Sequence, residues 1–344
     1  MDHWISTELP PFNAKHPLFL CVLSNTDTAK IPGVSAAGRS PDAIAYTPAA
    51  DAELVTLGRT ICSTEPPMTG NSPTPAVITR AVMQLTGMPF MFINSGLHIR
   101  PRIPLLDVDA KPGGDIRTGN AVVDTGLIYD NALELGRQIQ RFSDFVVIGE
   151  SVPGGTTTAM AVLQALGIDG RVSSSYLHNP VDIKQQVVAQ AMERVGISFG
   201  GLSNEPMRAI ECTGDPMMAC VCGLVDGLEG TTSILAGGTQ MMAVLALIKQ
   251  LGITADVSIA TTKYVAQDNT ASFLDTVSAL GYAAHVVDPG FEVSRNPGLR
   301  MYESGVVKEG VGAGGAMFAA GMMGVGQQEL REKVEEICDQ LFRV

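Results

Sequence analysis

From residue 145 onward the chain alternates short apolar runs with longer segments, and this alternation limits the fold more than any other feature. Residues 145–148 (Phe-Val-Val-Ile), 232–235, 257–261 and 284–287 are short and aliphatic, as buried strands are. Between them, residues 156–166, 182–195, 215–224, 240–251 and 269–280 read as helices; Asp215 stands at an N-cap and Pro216 at a first helical position. Residues 207–211 read as one more strand. Strands separated by helices need crossover connections, so the chain is expected to be α/β: a Rossmann-like three-layer fold with a mostly parallel sheet.

The first half follows the same rule with longer interruptions. Residues 18–24 and 89–93 read as strands, and 51–62, 76–85 and 129–142 as helices. Residues 64–75 hold four prolines and read as loop; residues 100–119 are polar and turn-rich. Residues 1–17 read as an irregular arm and 327–342 as an amphipathic helix. No internal repeat or linker divides the chain. The expectation is a single domain over 1–344, with its core at about 75–325 and a small helical subdomain formed by the termini.

Composition sets the partners. The formal net charge of the 344 residues is −12, which argues against nucleic acid and against an anionic membrane surface. A small phosphorylated ligand held by backbone amides stays open. The start, Met1-Asp2-His3-Trp4, has no apolar run behind it, and the longest such run, 241–248, is too short to span a bilayer. A cytoplasmic protein is expected. The six cysteines form no Cys-x-x-Cys and the histidines no His-Glu-x-x-His, so no metal site is expected.

Two glycine-rich stretches carry the chemistry. Residues 305–315 set one carboxylate, Glu309, among five glycines and apolar neighbours. A poorly solvated carboxyl holds its proton more tightly, which suits a general base working near neutral pH; a surface Glu in a flexible turn is the alternative. Residues 149–158 (Gly-Glu-Ser-Val-Pro-Gly-Gly-Thr-Thr-Thr) run from a strand into a helix, where free N–H groups and the helix dipole suit either a phosphate or a plain turn. Residues 149–158 form neither a Walker A loop nor a Gly-x-Gly-x-x-Gly fingerprint.

Lys308-Glu309-Gly310-Val311-Gly312-Ala313-Gly314 resembles the Gly-Glu-Gly-Thr-Gly-Ala signature of the nicotinate-nucleotide:dimethylbenzimidazole phosphoribosyltransferases. It departs from that signature at Lys308, Val311 and Gly314-Gly315. Residues 149–157 are similar to the family's phosphate loop, with Pro153 and Gly155 replacing Ile and Asn. The resemblance spans about 75–325 and points to an archaeal branch. It implies Glu309 as catalytic base and Gly149, Glu150, Gly154, Gly155, Thr156, Thr157, Lys184, Gly310 and Gly312 as nucleotide and phosphate contacts. Asn94, Ser95, Asp215, Thr261 and Thr262 would stand nearer the base. For Lys184 a solvated helix face is the alternative, and for Asp215 a plain N-cap.

The implied reaction moves the phosphoribosyl group of nicotinate mononucleotide to a benzimidazole-like base, giving an α-ribazole 5′-phosphate for the lower ligand of a cobamide. It needs no metal or redox cofactor, and the family forms homodimers. A transferase or nucleosidase for another base, or a non-catalytic nucleotide binder, would use the same loop.

Overall fold

A computed structural model describes residues 4–6, 12–37 and 41–341. The rest lie outside the described residues, including the chain start, much of the expected N-terminal arm, and Phe342.

Seven strands form one sheet: β1 (Pro17–Leu23), β2 (Phe90–Asn94), β3 (Leu106–Asp107), β4 (Phe145–Ser151), β5 (Thr232–Ala236), β6 (Val257–Thr262) and β7 (Ala284–Val287). Their order is β3-β2-β1-β4-β5-β6-β7, and every pairing is parallel. A parallel sheet is covered on both faces, so its strands are apolar on both sides. In β1, Leu18, Leu20 and Val22 enter one buried cluster, and Phe19, Cys21 and Leu23 enter the other. That division by alternate residues makes the three layers.

One face is packed by α3 (Thr125–Ile139), α4 (Gly155–Leu166), α5 (Val181–Val195), α6 (Pro206–Thr213), α7 (Pro216–Gly227), α8 (Thr239–Leu251) and α9 (Phe273–Leu280). The other is packed by α1 (Thr47–Leu57), α2 (Ala76–Thr86), α10 (Ala313–Met322) and α11 (Gln327–Leu341). Trp4 and Ile5 join this second cluster, and Ile5 bridges Val287 at the sheet edge. No helix among the described residues is long and apolar enough to cross a membrane.

Three local readings are corrected. Residues 207–211 lie in helix α6, with Pro206 at its start and Ala209, Ile210 and Thr213 buried one turn apart. Three apolar residues in five, Met207, Ala209 and Ile210, do not distinguish a strand from one turn of buried helix. Residues 100–119 contain the two-residue edge strand β3, and residues 64–75 contain a short hairpin, Met68–Thr69 with Ser72–Pro73. Both are too brief to show alternation.

The chain steps outward from β1 to β3, then returns to β4 on the other side of β1 and steps outward again. The direction reverses between β1 and β4. In an open parallel sheet this reversal leaves a crevice at the carboxyl ends of the strands, the usual ligand site.

Candidate active site

The crevice is a cleft of about 740 Å³, measured with its open mouth. Strand β4 runs farther than the apolar run implied, so its last two residues, Glu150 and Ser151, stand in the cleft wall. Gly154 then turns the chain at φ 81°, a conformation that costs glycine little, and α4 begins. Gly154, Gly155 and Thr156 line the cleft, and the Thr156 N–H has no backbone partner among the described residues. The positive end of a twelve-residue helix thus faces the space.

Glu309 arrives from the opposite side on the loop before α10. Its Oε1 accepts from the N–H groups of Gly310 and Gly314, both at 3.1 Å, and its Oε2 accepts from Thr262 and Gly314, both at 3.2 Å. The carboxylate is fixed by the ends of β6 and α10 rather than waving in a turn. Two β-branched residues beside it sit in the left-handed region, Val307 at φ 61° and Val311 at φ 54°. Such conformations cost on the order of 1–3 kcal/mol each and persist only where neighbours enforce them. Here Val311 donates its N–H to the Glu150 carbonyl and accepts from Thr79 Oγ1, while Val307 donates to the Ser175 carbonyl.

Gly314 must be glycine for this geometry. A Cβ there would lie 2.5 Å from Thr261 Cα and 2.6 Å from Glu309 Oε2. Gly314→Ala is therefore expected to lose about 1–3 kcal/mol, the range for overpacking a filled site. Urea denaturation followed by circular dichroism checks it.

The electrostatics are one-sided. Asp51, from α1, is buried with Oδ1 accepting from Thr74 Oγ1 (2.7 Å) and Oδ2 from Ser151 Oγ (2.9 Å). Asp51, Glu150 and Glu309 all line the cleft, and no Lys, Arg or His among the described residues does. Burial pushes Asp51 up to about 7 against the pull of its two hydroxyl partners. Burial, then the charges of Glu309, Asp215 and Asp51, push Glu150 up to about 8. Burial pushes Glu309 up to about 7, against the N–H groups of Gly314, Gly310, Thr262 and Ala313. Neighbouring carboxyls do not readily ionise together. Glu309 has more backbone donors on its anion than Glu150, which favours its ionised form.

Of the residues singled out from sequence, Glu309, Glu150, Gly154, Gly155, Thr156 and Gly310 line this one cleft. Gly149 and Gly312 lie behind it, where β4 and the Glu309 loop touch backbone to backbone. Thr157 is buried below, and Thr261 and Thr262 support the loop; Thr262 Oγ1 donates to the Lys308 carbonyl. Asp215 spends a carboxylate oxygen on Thr158 Oγ1 and makes no side-chain cap bond. Asn94 pairs with Asp107, and Ser95 donates to the Pro216 carbonyl.

Lys184 does not line the cleft. Its ammonium is buried and donates to the Ser173 carbonyl at 2.6 Å, and burial, then repulsion from Lys308, push it down to about 7. Sequence reasoning missed Asp51, Thr74, Ser151 and Gln240. Gln240 Nε2 donates to Glu150 Oε2 (3.1 Å) and to the Val152 carbonyl. Ser151, inside the glycine-rich stretch 149–158, and Gln240, at a strand-to-helix turn, carried a recognisable signal.

Archaeal proteins match nearly the whole chain. A UPF0284 protein of Methanosarcina acetivorans is 51% identical over 341 residues, covering 97% of each chain. The chain belongs to the UPF0284 protein family. A member from Methanothermobacter thermautotrophicus is 43% identical over 335 residues, covering 94% of this chain and 93% of that one. No protein-family model matches.

Among solved structures, a nicotinate-nucleotide-dimethylbenzimidazole phosphoribosyltransferase from Thermus thermophilus superposes with a TM-score of 0.61 at 16% identity, covering 95% of this chain and 85% of that one. A structure of CobT from the same organism gives 0.58 at 16%, covering 96% and 86%. At this identity the likeness establishes the shared fold, and the family shares the α/β architecture expected from the alternation.

Proposed function

We propose that this chain transfers the phosphoribosyl group of nicotinate mononucleotide to a benzimidazole-like base. The observation that carries this reading is the Glu309 carboxylate, pinned by three backbone N–H groups in the cleft that the N-terminus of α4 also faces. One end suits a phosphate and the other a proton transfer. The Thermus thermophilus structure of like fold bears the name of that transferase.

The phosphate lies against Gly154, Gly155 and Thr156, which orients the ribose C1 toward the Glu309 side. The acceptor's ring N–H gives its proton to Glu309 as the other ring nitrogen forms a bond to C1 from the face opposite nicotinate. The C1–pyridinium bond breaks and its electron pair returns to the pyridine nitrogen, so nicotinate leaves without an acid. The product is an α-ribazole 5′-phosphate, and Glu309 passes its proton to solvent. Positioning and base catalysis are what this reaction demands. Glu150, pushed up by burial and held by Gln240, bounds the site beside Glu309.

Lys184 enters this reading as a support. The carbonyls of Ser173, Ser174 and Ser175 are held by Lys184, Lys308 and the Val307 N–H in turn. Ser174 and Ser175 line the cleft. A homodimer belongs to the same proposal and is measured by light scattering.

Phosphate anchorage is tested by thermal shift. A ligand at a hundred times its dissociation constant stabilises the folded state by about 2.7 kcal/mol. Nicotinate mononucleotide is expected to raise the melting temperature, and nicotinate riboside at the same concentration to raise it far less. Equal shifts would remove the cradle from the account.

A further inference from the structure

The wall of the cleft facing the Glu309 loop is built by α1 and the hairpin at Met68–Thr69, with Pro67, Thr74 and Pro75 between them. Gly310 packs against Pro75, so an acceptor beside Glu309 also lies against this wall. Most of the wall is apolar or hydroxyl-bearing; Asp51 is its one carboxyl. Thr74 and Ser151 each use one lone pair of one Asp51 oxygen. A carboxyl has about four such positions, so each oxygen can accept once more. A second recess shares Thr47 and Pro67 with the cleft and is also lined by Tyr46, Ala50 and Glu65. Thr47 and Asp51 are one helical turn apart on α1, and both line the cleft.

We infer that Asp51 selects the acceptor, favouring a bicyclic aromatic base whose outer ring carries a hydrogen-bond donor, a hydroxyl or an amino group, over one carrying only methyl groups. The inference rests on the transferase reading and deepens it. A methyl group laid over a buried carboxyl removes its remaining contact with water and returns nothing, whereas a donor restores the bond. Leaving such a group unsatisfied costs enough to shift preference by about 10- to 100-fold. Sites built to bond a substrate hydroxyl discriminate strongly against analogues that lack it.

The test is a competition in one tube between 5-hydroxybenzimidazole and 5-methylbenzimidazole, which are close in size, with nicotinate mononucleotide as donor. Mass spectrometry reads the ratio of the two ribotide products. The ratio does not depend on how much of a variant is folded. Wild type is expected to favour the hydroxyl base about 10- to 100-fold, and Asp51→Ala to bring the ratio close to one. Asp51→Asn keeps one acceptor oxygen without charge and should fall between them. If Asp51→Ala does not fold, Asp51→Asn decides: a lowered ratio supports the inference and an unchanged one overturns it. A wild-type ratio near one, or the same ratio in Asp51→Ala, overturns the role of Asp51 and leaves the transferase intact. No product from either base removes the transferase reading itself, and this inference with it.

Discussion

Glu309→Gln is expected to lower turnover by about 100- to 10,000-fold, the usual contribution of a general base, with mononucleotide binding near the wild-type value. The amide cannot take the acceptor's proton, and the phosphate cradle lies on α4, away from the substitution. Both Glu309 oxygens accept backbone N–H groups, so the amide NH₂ of Gln must face a donor. The variant should therefore also lose about 1–3 kcal/mol of stability, and turnover has to be compared per folded molecule. A purely structural Glu309 predicts the stability loss alone. The pH profile gives an independent sign. With Glu309 raised to about 7, the free protein holds its base protonated below that pH. The wild-type kcat/KM should rise through about 7 and level off above it, and the Gln variant should lose that limb. Glu150→Gln and the double variant complete the series. Wild-type turnover in both Glu309→Gln and the double variant would mean that neither carboxyl is the base.

The second large effect is on stability. Lys308 precedes the base and is buried; its ammonium lies 2.9 Å from Asp268 Oδ2 and donates to the Ser174 carbonyl at 2.6 Å. Removing one member of a buried ion pair leaves the other charge uncompensated and costs about 3–5 kcal/mol, whereas replacing both by apolar groups costs far less. Lys308→Met should lose stability in that range, and Lys308→Met with Asp268→Leu should recover part of it. Burial pushes Asp268 up, but the Thr270 hydroxyl and Lys308 outweigh it and hold its carboxyl below the usual range. A depressed carboxyl stabilises the fold above its unfolded value and loses that contribution as pH falls through its folded value. The gap between wild type and Lys308→Met should accordingly narrow in acid. Urea unfolding at pH 7 and pH 3 measures both statements.

The α/β architecture was legible because each layer repeats one pattern. A strand buried on both faces is apolar throughout, as 145–148 is, and the helices between supply the crossovers. What escaped was set by length or by distance. Strand β3 has two residues and no period to detect. Helix α6 reads as a strand in sequence because its apolar residues fall close together.

The glycine-rich stretches pointed to Glu309 and to the α4 turn because unusual backbone leaves its mark in composition. Asp51 left none: in sequence it is one acidic residue in a helix, and only folding sets it against Ser151, a hundred positions away. Lys184 shows the complementary case. Its place in the chain fits a phosphate ligand, but the segment 173–175 stands between it and the cleft.

The central claim is tested most directly by incubating the protein with nicotinate mononucleotide, alone and with a panel of benzimidazoles, and weighing the products by mass spectrometry. The account predicts nicotinate release only when a base is present, in equal amount to a ribotide whose mass is that of the base plus the phosphoribosyl group. Release of nicotinate without any acceptor, or its absence with every base while the mononucleotide still binds, would contradict it.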